Sequence, residues 1–121
     1  MNGTQLINVR VKYLRPRHHD LREWMQDPAN VYIGRGGSVF VTASDGSKTR
    51  WPPAKSKWCN NNTTGTLPER IAAFERDLDT LLLDEHNAAE FRLLRGKTLG
   101  CWCKPAGCHG DVILARLDAL P

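Results

Sequence analysis

The chain has 121 residues, of which 40% are hydrophobic and 25% charged, the composition of one ordinary globular domain. Its 17 Lys and Arg against 13 Asp and Glu give a formal net charge of +4, which favours anionic partners such as phosphates without demanding nucleic acid. No apolar run approaches the roughly 20 residues of a membrane span, and the first residues lack a secretory pattern. We therefore expect a cytoplasmic protein with one domain over residues 1–121 and no membrane partner.

Strand patterns dominate the amino-terminal half. Strict alternation of apolar and polar residues predicts a strand over residues 7–13, and Asp20 is placed to cap a single helical turn. Short apolar runs predict strands at residues 31–33 and 39–42, with a hairpin turn at 44–47.

Helix signals dominate the carboxyl-terminal half. A Thr66-x-x-Glu69 capping box predicts the start of an amphipathic helix, and a second helix follows over residues 85–94. Residues 97–103 are expected to form a strand and residues 110–120 a final helix. This order predicts an α/β fold in which helices pack against a small sheet and the chain finishes with a strand-loop-helix unit.

Three of the four cysteines lie within the eight residues 101–108, a spacing that favours metal binding or reactive thiols over structural disulfides. On a strand, Cys101 and Cys103 project from the same face. Together with Cys108 and His109 they form a Cys3His set that zinc accepts, and Cys59 is an alternative fourth ligand. The alternative to zinc is that the cysteines are simply buried core residues.

The turn after this strand also fits an anion site. A loop entering a helix presents backbone N–H groups and the positive end of the helix dipole. Gly110 would allow close approach of a ligand, while His109 and Asp111 are candidate catalytic residues that orient or deprotonate it. In the simpler alternative, Asp111 only caps the helix and His109 lies at the surface.

Gly34, Arg35 and Gly36 form a second candidate ligand-binding segment. Glycine lets the backbone approach a ligand, and arginine can grip a phosphate or carboxylate through two hydrogen bonds. The alternative is a plain hairpin turn that carries an exposed arginine.

Residues 57–60 combine a cation, an aromatic ring and an amide in Lys57, Trp58 and Asn60. The ring could stack on a base and the amide could pair with a base edge. Equally, the tryptophan could pin this loop to the core.

These motifs together resemble the bacterial and phage family known as domain of unknown function 4326. The resemblance rests on Val31-Tyr-Ile-Gly-Arg-Gly36, Ser56-Lys-Trp-Cys-Asn60 and the stretch from Arg95 through Cys108-His-Gly-Asp-Val112. Members similar to this chain read Lys-Trp-Gly-Asn-Pro-Phe at residues 57–62, so Cys59 is a departure. Residues 38–54 are a further departure and are expected to form an insertion loop or hairpin. The resemblance implies that the three motifs belong to one site.

The leading hypothesis is a domain that binds or modifies a nucleotide or another phosphorylated ribose-type molecule, with Arg35, Trp58, His109 and Asp111 around one pocket. This arrangement requires the strands that end near residues 33 and 103 to be parallel neighbours. The runner-up is a non-enzymatic, zinc-stabilised module that binds protein or nucleic acid. A third hypothesis, thiol redox chemistry, is disfavoured because Cys-x-Cys is not the Cys-x-x-Cys motif.

Overall fold

The computed structural model describes residues 3–102 and 108–120. Its strands are β1 (Gln5–Asn8), β2 (Asn30–Tyr32), β3 (Val39–Thr42), β4 (Lys48–Trp51) and β5 (Thr98–Cys101). Its helices are α1 (Val11–Leu14), α2 (Leu21–Trp24), α3 (Leu67–Leu81), α4 (Glu85–Arg92) and α5 (His109–Ala119). The α/β fold class expected from the sequence is confirmed.

β5 lies at the centre of a three-stranded parallel sheet, with β1 on one side and β2 on the other. Thr98 is in register with Gln5 of β1 and with Asn30 of β2, so the three strands begin at one edge and end at the other. The expected parallel pairing of the strands before the two candidate loops is therefore observed. β3 and β4 form a separate antiparallel hairpin.

Both faces of the sheet are covered. On one face, Ile33, Leu99 and Cys101 join a core completed by α3, α4 and α5. On the other, Val9 and Tyr32 pack with residues of α1 and α2. Because strand residues alternate between faces, Trp102 packs partly on the second side while Cys101 belongs to the first. No helix in the described part of the chain has the length and hydrophobicity to cross a membrane.

The predicted strand over residues 7–13 is wrong beyond Asn8. The Asn8 side-chain oxygen accepts a hydrogen bond from the Arg10 backbone N–H at 2.9 Å, which turns the chain out of the sheet. α1 then begins at Val11, and Leu14 is buried beside Val9 and Leu21. The apparent alternation thus spans a strand end, a turn and one helical turn.

Helix capping follows the sequence closely. Thr66 and Glu69 form the predicted capping box at the start of α3, and the Asp20 carboxylate accepts from the Glu23 backbone N–H at 2.9 Å. α5 begins at His109 with Cys108 as its N-cap, where the sequence predicted a start at Gly110.

Candidate functional site

A cavity of about 250 Å3 lies where β2 and β5 end and α5 begins. It is lined by Gly34 and Arg35 after β2, by Cys101 and Trp102 at the end of β5, by Cys108 and His109 at the start of α5, and by Ser38, Asn60, Asn62, Leu67, Arg70 and Ile71. Of the residues predicted for the site, the structure brings Gly34, Arg35, Asn60, Cys101, Cys108 and His109 together here. Carboxyl ends of parallel strands are the usual place for ligands in such sheets.

Hydrogen bonds from Tyr32 and Ser38 fix the glycine-arginine loop. The Tyr32 hydroxyl donates to the Arg35 carbonyl at 2.7 Å and accepts from the Trp102 ring N–H at 2.8 Å, while the Ser38 hydroxyl donates to the same carbonyl at 2.8 Å. At Gly36, a Cβ atom would lie 2.9 Å from the Ala54 backbone. Glycine is therefore required there so that the following loop can pack against this one.

Arg35 reaches across to the loop that contains Asn60. Its Nε donates to the Asn60 carbonyl at 3.1 Å and its Nη2 approaches the Asn62 carbonyl at 3.5 Å. Among the described residues, no carboxylate forms an ion pair with Arg35. Its charge is therefore not neutralised at the cavity wall, and its other N–H groups can serve an incoming anion.

Arg70 is a cavity residue that the sequence analysis missed. Its Nε is buried and has no hydrogen-bond partner among the described residues. No described carboxylate pairs with its guanidinium either. A signal for its position was available, since Arg70 stands four residues before the buried Phe74 and thus on the inward face of α3.

His109 is buried at the base of the cavity, at 8% exposure. Its Nε2 lies 2.8 Å from the Ile33 carbonyl oxygen, and its ring meets Phe74 edge to face at 4.9 Å. Burial lowers the pKa of His109. The hydrogen bond to the Ile33 carbonyl raises this pKa in part, and the nearby charge of Arg35 lowers it further. His109 is consequently neutral at pH 7, with the Nε2 hydrogen already donated to protein.

Two thiols meet next to this histidine. Cys108 Sγ lies 3.2 Å from Cys101 Sγ and 3.7 Å from His109 Nδ1, and it accepts from the Gly110 backbone N–H at 3.3 Å. Within residues 3–102 and 108–120, no three His, Cys, Asp or Glu side chains are arranged to hold a metal ion. Cys103, a member of the proposed zinc set, lies outside the described residues, so zinc stays a prediction from the sequence.

Asp111 and Gly110 serve the start of α5. The Asp111 carboxylate accepts from the Cys108 backbone N–H at 3.1 Å and closes a capping box. Asp111 is exposed and is not part of the cavity lining, contrary to its expected place in the pocket. Gly110 is packed so closely on the core that a Cβ atom would lie 2.7 Å from Leu6.

The lysine-tryptophan pair also lies away from the cavity. Lys57 Nζ donates hydrogen bonds to the Glu90 carboxylate at 2.6 Å and to the Asn87 side-chain oxygen at 2.9 Å. Its charge is therefore paired with a carboxylate of α4. Trp58 is only 6% exposed and packs edge to face on Phe91, so its ring is unavailable for stacking on a ligand. The tryptophan pins its loop to the core.

The family model described as Domain of unknown function (DUF4326) matches residues 16–119. The chain belongs to this family. The chain is also similar to the uncharacterized 12.4 kDa protein in the nrdA-td intergenic region of Enterobacteria phage T4, with 37% identity over 57 residues. That match covers 46% of this chain and 53% of the phage protein, so the chain spans about half the length of this relative. No solved structure matches the chain.

The two segments that the sequence analysis predicted to be departures from the DUF4326 pattern, residues 38–54 and Cys59, are both described by the structure. Residues 38–54 contain the β3–β4 hairpin, which the Gly37 backbone N–H anchors through a 2.8 Å bond to the Pro52 carbonyl. Cys59 is buried, its Sγ lies 3.5 Å from the Asn61 side-chain oxygen, and burial raises the pKa of its thiol. Cys59 is not among the residues that line the cavity.

Proposed function

We propose that the protein binds a small phosphorylated ribose-type molecule, such as a mononucleotide, in the cavity at the carboxyl ends of β2 and β5. The observation that carries this proposal is the pair of arginines at its wall, Arg35 and Arg70. In the described part of the chain, neither has a carboxylate partner. Two unneutralised guanidinium groups beside one cavity favour an anionic ligand.

A phosphate suits this pair for geometric reasons. Guanidinium groups offer planar, paired N–H donors that match phosphate oxygens, and charged hydrogen bonds of this kind are stronger than neutral ones. The amino-terminal end of α5, where Cys108 and His109 line the cavity, adds the positive end of the helix dipole.

The remaining walls suit a sugar or a small base. Trp102, Leu67 and Ile71 provide an apolar side, and the Ser38 hydroxyl provides a polar one. Trp102, and not Trp58, is therefore the aromatic ring available to a ligand. A volume near 250 Å3 falls just under the roughly 300–1,000 Å3 of drug-sized pockets, which favours a compact ligand over a dinucleotide.

The proposal concerns binding and assigns no reaction. His109 donates its Nε2 hydrogen to Ile33, and the Asp111 carboxylate caps α5. Both side chains thus have structural partners in the described structure. A role for either in modifying the ligand would require it to exchange that partner during turnover.

Thermal shift with a panel of ligands tests the proposal. Inorganic phosphate, ribose 5-phosphate and mononucleotides should raise the melting temperature, whereas the matching unphosphorylated nucleosides should not. Arg35→Ala should weaken binding by about 1.5–3 kcal/mol, the range for a charged hydrogen bond, with little effect on folding.

Arg76→Ala is the matched control, because Arg76 is exposed on α3 and absent from the cavity wall. Equal stabilisation by nucleosides and by their phosphates would contradict the proposal. So would unchanged phosphate affinity in the Arg35→Ala variant.

A further inference from the structure

Residues 10–22 form a strongly basic stretch near the start of the sequence, which we call the basic segment. It contains five of the 17 Lys and Arg and one of the 13 Asp and Glu. The basic segment therefore accounts for the whole formal net charge of +4, and the remainder of the chain is balanced. Its basic residues are Arg10, Lys12, Arg15, Arg17 and Arg22.

No described carboxylate forms an ion pair with these cations. In the part of the chain that the structure describes, ion pairs involve Lys57, His86 and Arg116, and none involves the basic segment. Asp20, the segment's acidic residue, is occupied in capping α2. Several unpaired cations held close together repel one another, which costs free energy. A polyanionic partner would relieve this repulsion, and the release of its condensed counterions would favour binding further.

The basic segment borders a second cavity, of about 520 Å3, that includes Tyr13, Arg15, Arg17 and His18 in its lining. The same cavity touches Gln5, Asn30 and Thr98, which are the first residues of β1, β2 and β5. The first cavity lies at the opposite ends of these strands. The two cavities have no lining residue in common among those the structure describes.

An exposed aromatic ring stands within the basic segment. Tyr13 is 53% exposed, and Lys12 Nζ lies 5.0 Å from the centre of its ring. A ring in this setting offers a surface on which a nucleic-acid base can stack, while neighbouring cations contact the phosphates on either side. Stacking requires unpaired bases, so a single strand suits this surface better than a duplex.

We propose that the basic segment is a contact surface for single-stranded nucleic acid, separate from the small-molecule cavity. Tyr13 stacks on a base, and Lys12, Arg15 and Arg17 contact phosphates. α1 and α2 have four residues each, so neither forms a recognition helix for a major groove or an amphipathic helix lying on a membrane. The proposal does not depend on the ligand of the first cavity.

Fluorescence anisotropy with a labelled oligothymidylate of about 20 nucleotides tests this surface, since single-strand sites span roughly 4–16 nucleotides. The double variant Lys12→Gln/Arg17→Gln should bind the oligonucleotide more weakly. The slope of the logarithm of the association constant against the logarithm of salt concentration should become less steep by about 1.4, or about 0.7 for each cation removed. Tyr13→Leu should weaken binding about 5- to 150-fold, the equivalent of one stacked base, whereas Tyr13→Phe should retain it.

Arg76→Gln/Arg92→Gln is the matched control, because it removes the same charge from exposed residues of α3 and α4. Equal weakening by both double variants would overturn the proposal, since net charge alone would then explain binding. Failure to bind the oligonucleotide at low salt would also overturn it, as would preference for duplex DNA or for vesicles of anionic phospholipid. Circular dichroism melts of each variant confirm that the fold is retained.

Discussion

Arg70→Met should stabilise the ligand-free protein while it removes affinity for phosphate. The buried Nε of Arg70 has no hydrogen-bond partner among the described residues, so the folded state carries the cost of a desolvated donor. Methionine has a similar unbranched stem and no polar hydrogen, so it can occupy the same space without that cost. Stability and binding are therefore expected to move in opposite directions.

The size of the effect follows from the burial of this side chain. An unsatisfied buried polar group costs about 1–3 kcal/mol. Arg70 as a whole is only half-buried, which places the effect at the lower end. We expect a gain of about 1 kcal/mol in the free energy of unfolding, or about 3–5 °C in Tm for a domain of this size.

Urea denaturation of the ligand-free protein measures this gain, with Arg76→Met as the control. Arg76 is exposed on the same helix, so its replacement should change stability by less than about 0.5 kcal/mol. Adding phosphate should stabilise the wild type and the Arg76→Met control, but not Arg70→Met. A ligand-free Arg70→Met protein less stable than the wild type would refute the reasoning, because it would mean that Nε makes a favourable contact in the folded state.

Other expectations concern pH, packing and metal. Burial lowers the pKa of His109, so its contribution to the free energy of unfolding should be fully present above the ordinary histidine pKa of 6.5 and should be lost as the pH falls below it. In urea denaturation at several pH values, His109→Gln should reduce this acid-dependent loss of stability. His86→Gln, at an exposed position, should not. Gly100→Ala would place a Cβ atom 2.4 Å from Val9 Cγ1 and should cost about 1–3 kcal/mol by denaturation, whereas no cost would indicate loose packing beside β5. If the cysteines of residues 101–108 hold zinc, elemental analysis should find about one equivalent, and an unchanged Tm in chelator would exclude a structural metal.

Local signals in the sequence predicted local structure well. The capping box of Thr66 and Glu69 and the cap at Asp20 are observed, because each depends on atoms a few residues apart. Residues 7–13 misled the prediction because a short alternating run cannot distinguish a strand from a strand end followed by a helical turn.

The site was predicted only in part, because cavity walls depend on tertiary packing. Parallel pairing of β2 with β5 brings Arg35 to His109, and the sequence suggested this through strand-loop order. Which tryptophan faces the cavity depends on how the loops pack, and the local pattern of residues 57–60 pointed to Trp58, whereas Trp102 lines the cavity. Arg70 was overlooked because a charged helix residue usually faces solvent.

The order of strands in the sheet has a consequence for how the protein is made. β5 pairs with both β1 and β2, yet Thr98 leaves the ribosome long after its partners Gln5 and Asn30. Until then the two earlier strands present unpaired edges that could join other nascent chains. The basic segment follows β1 directly, and its like charges would keep neighbouring chains apart during that interval. We expect this charge to reduce pairing between nascent chains until β5 has been made.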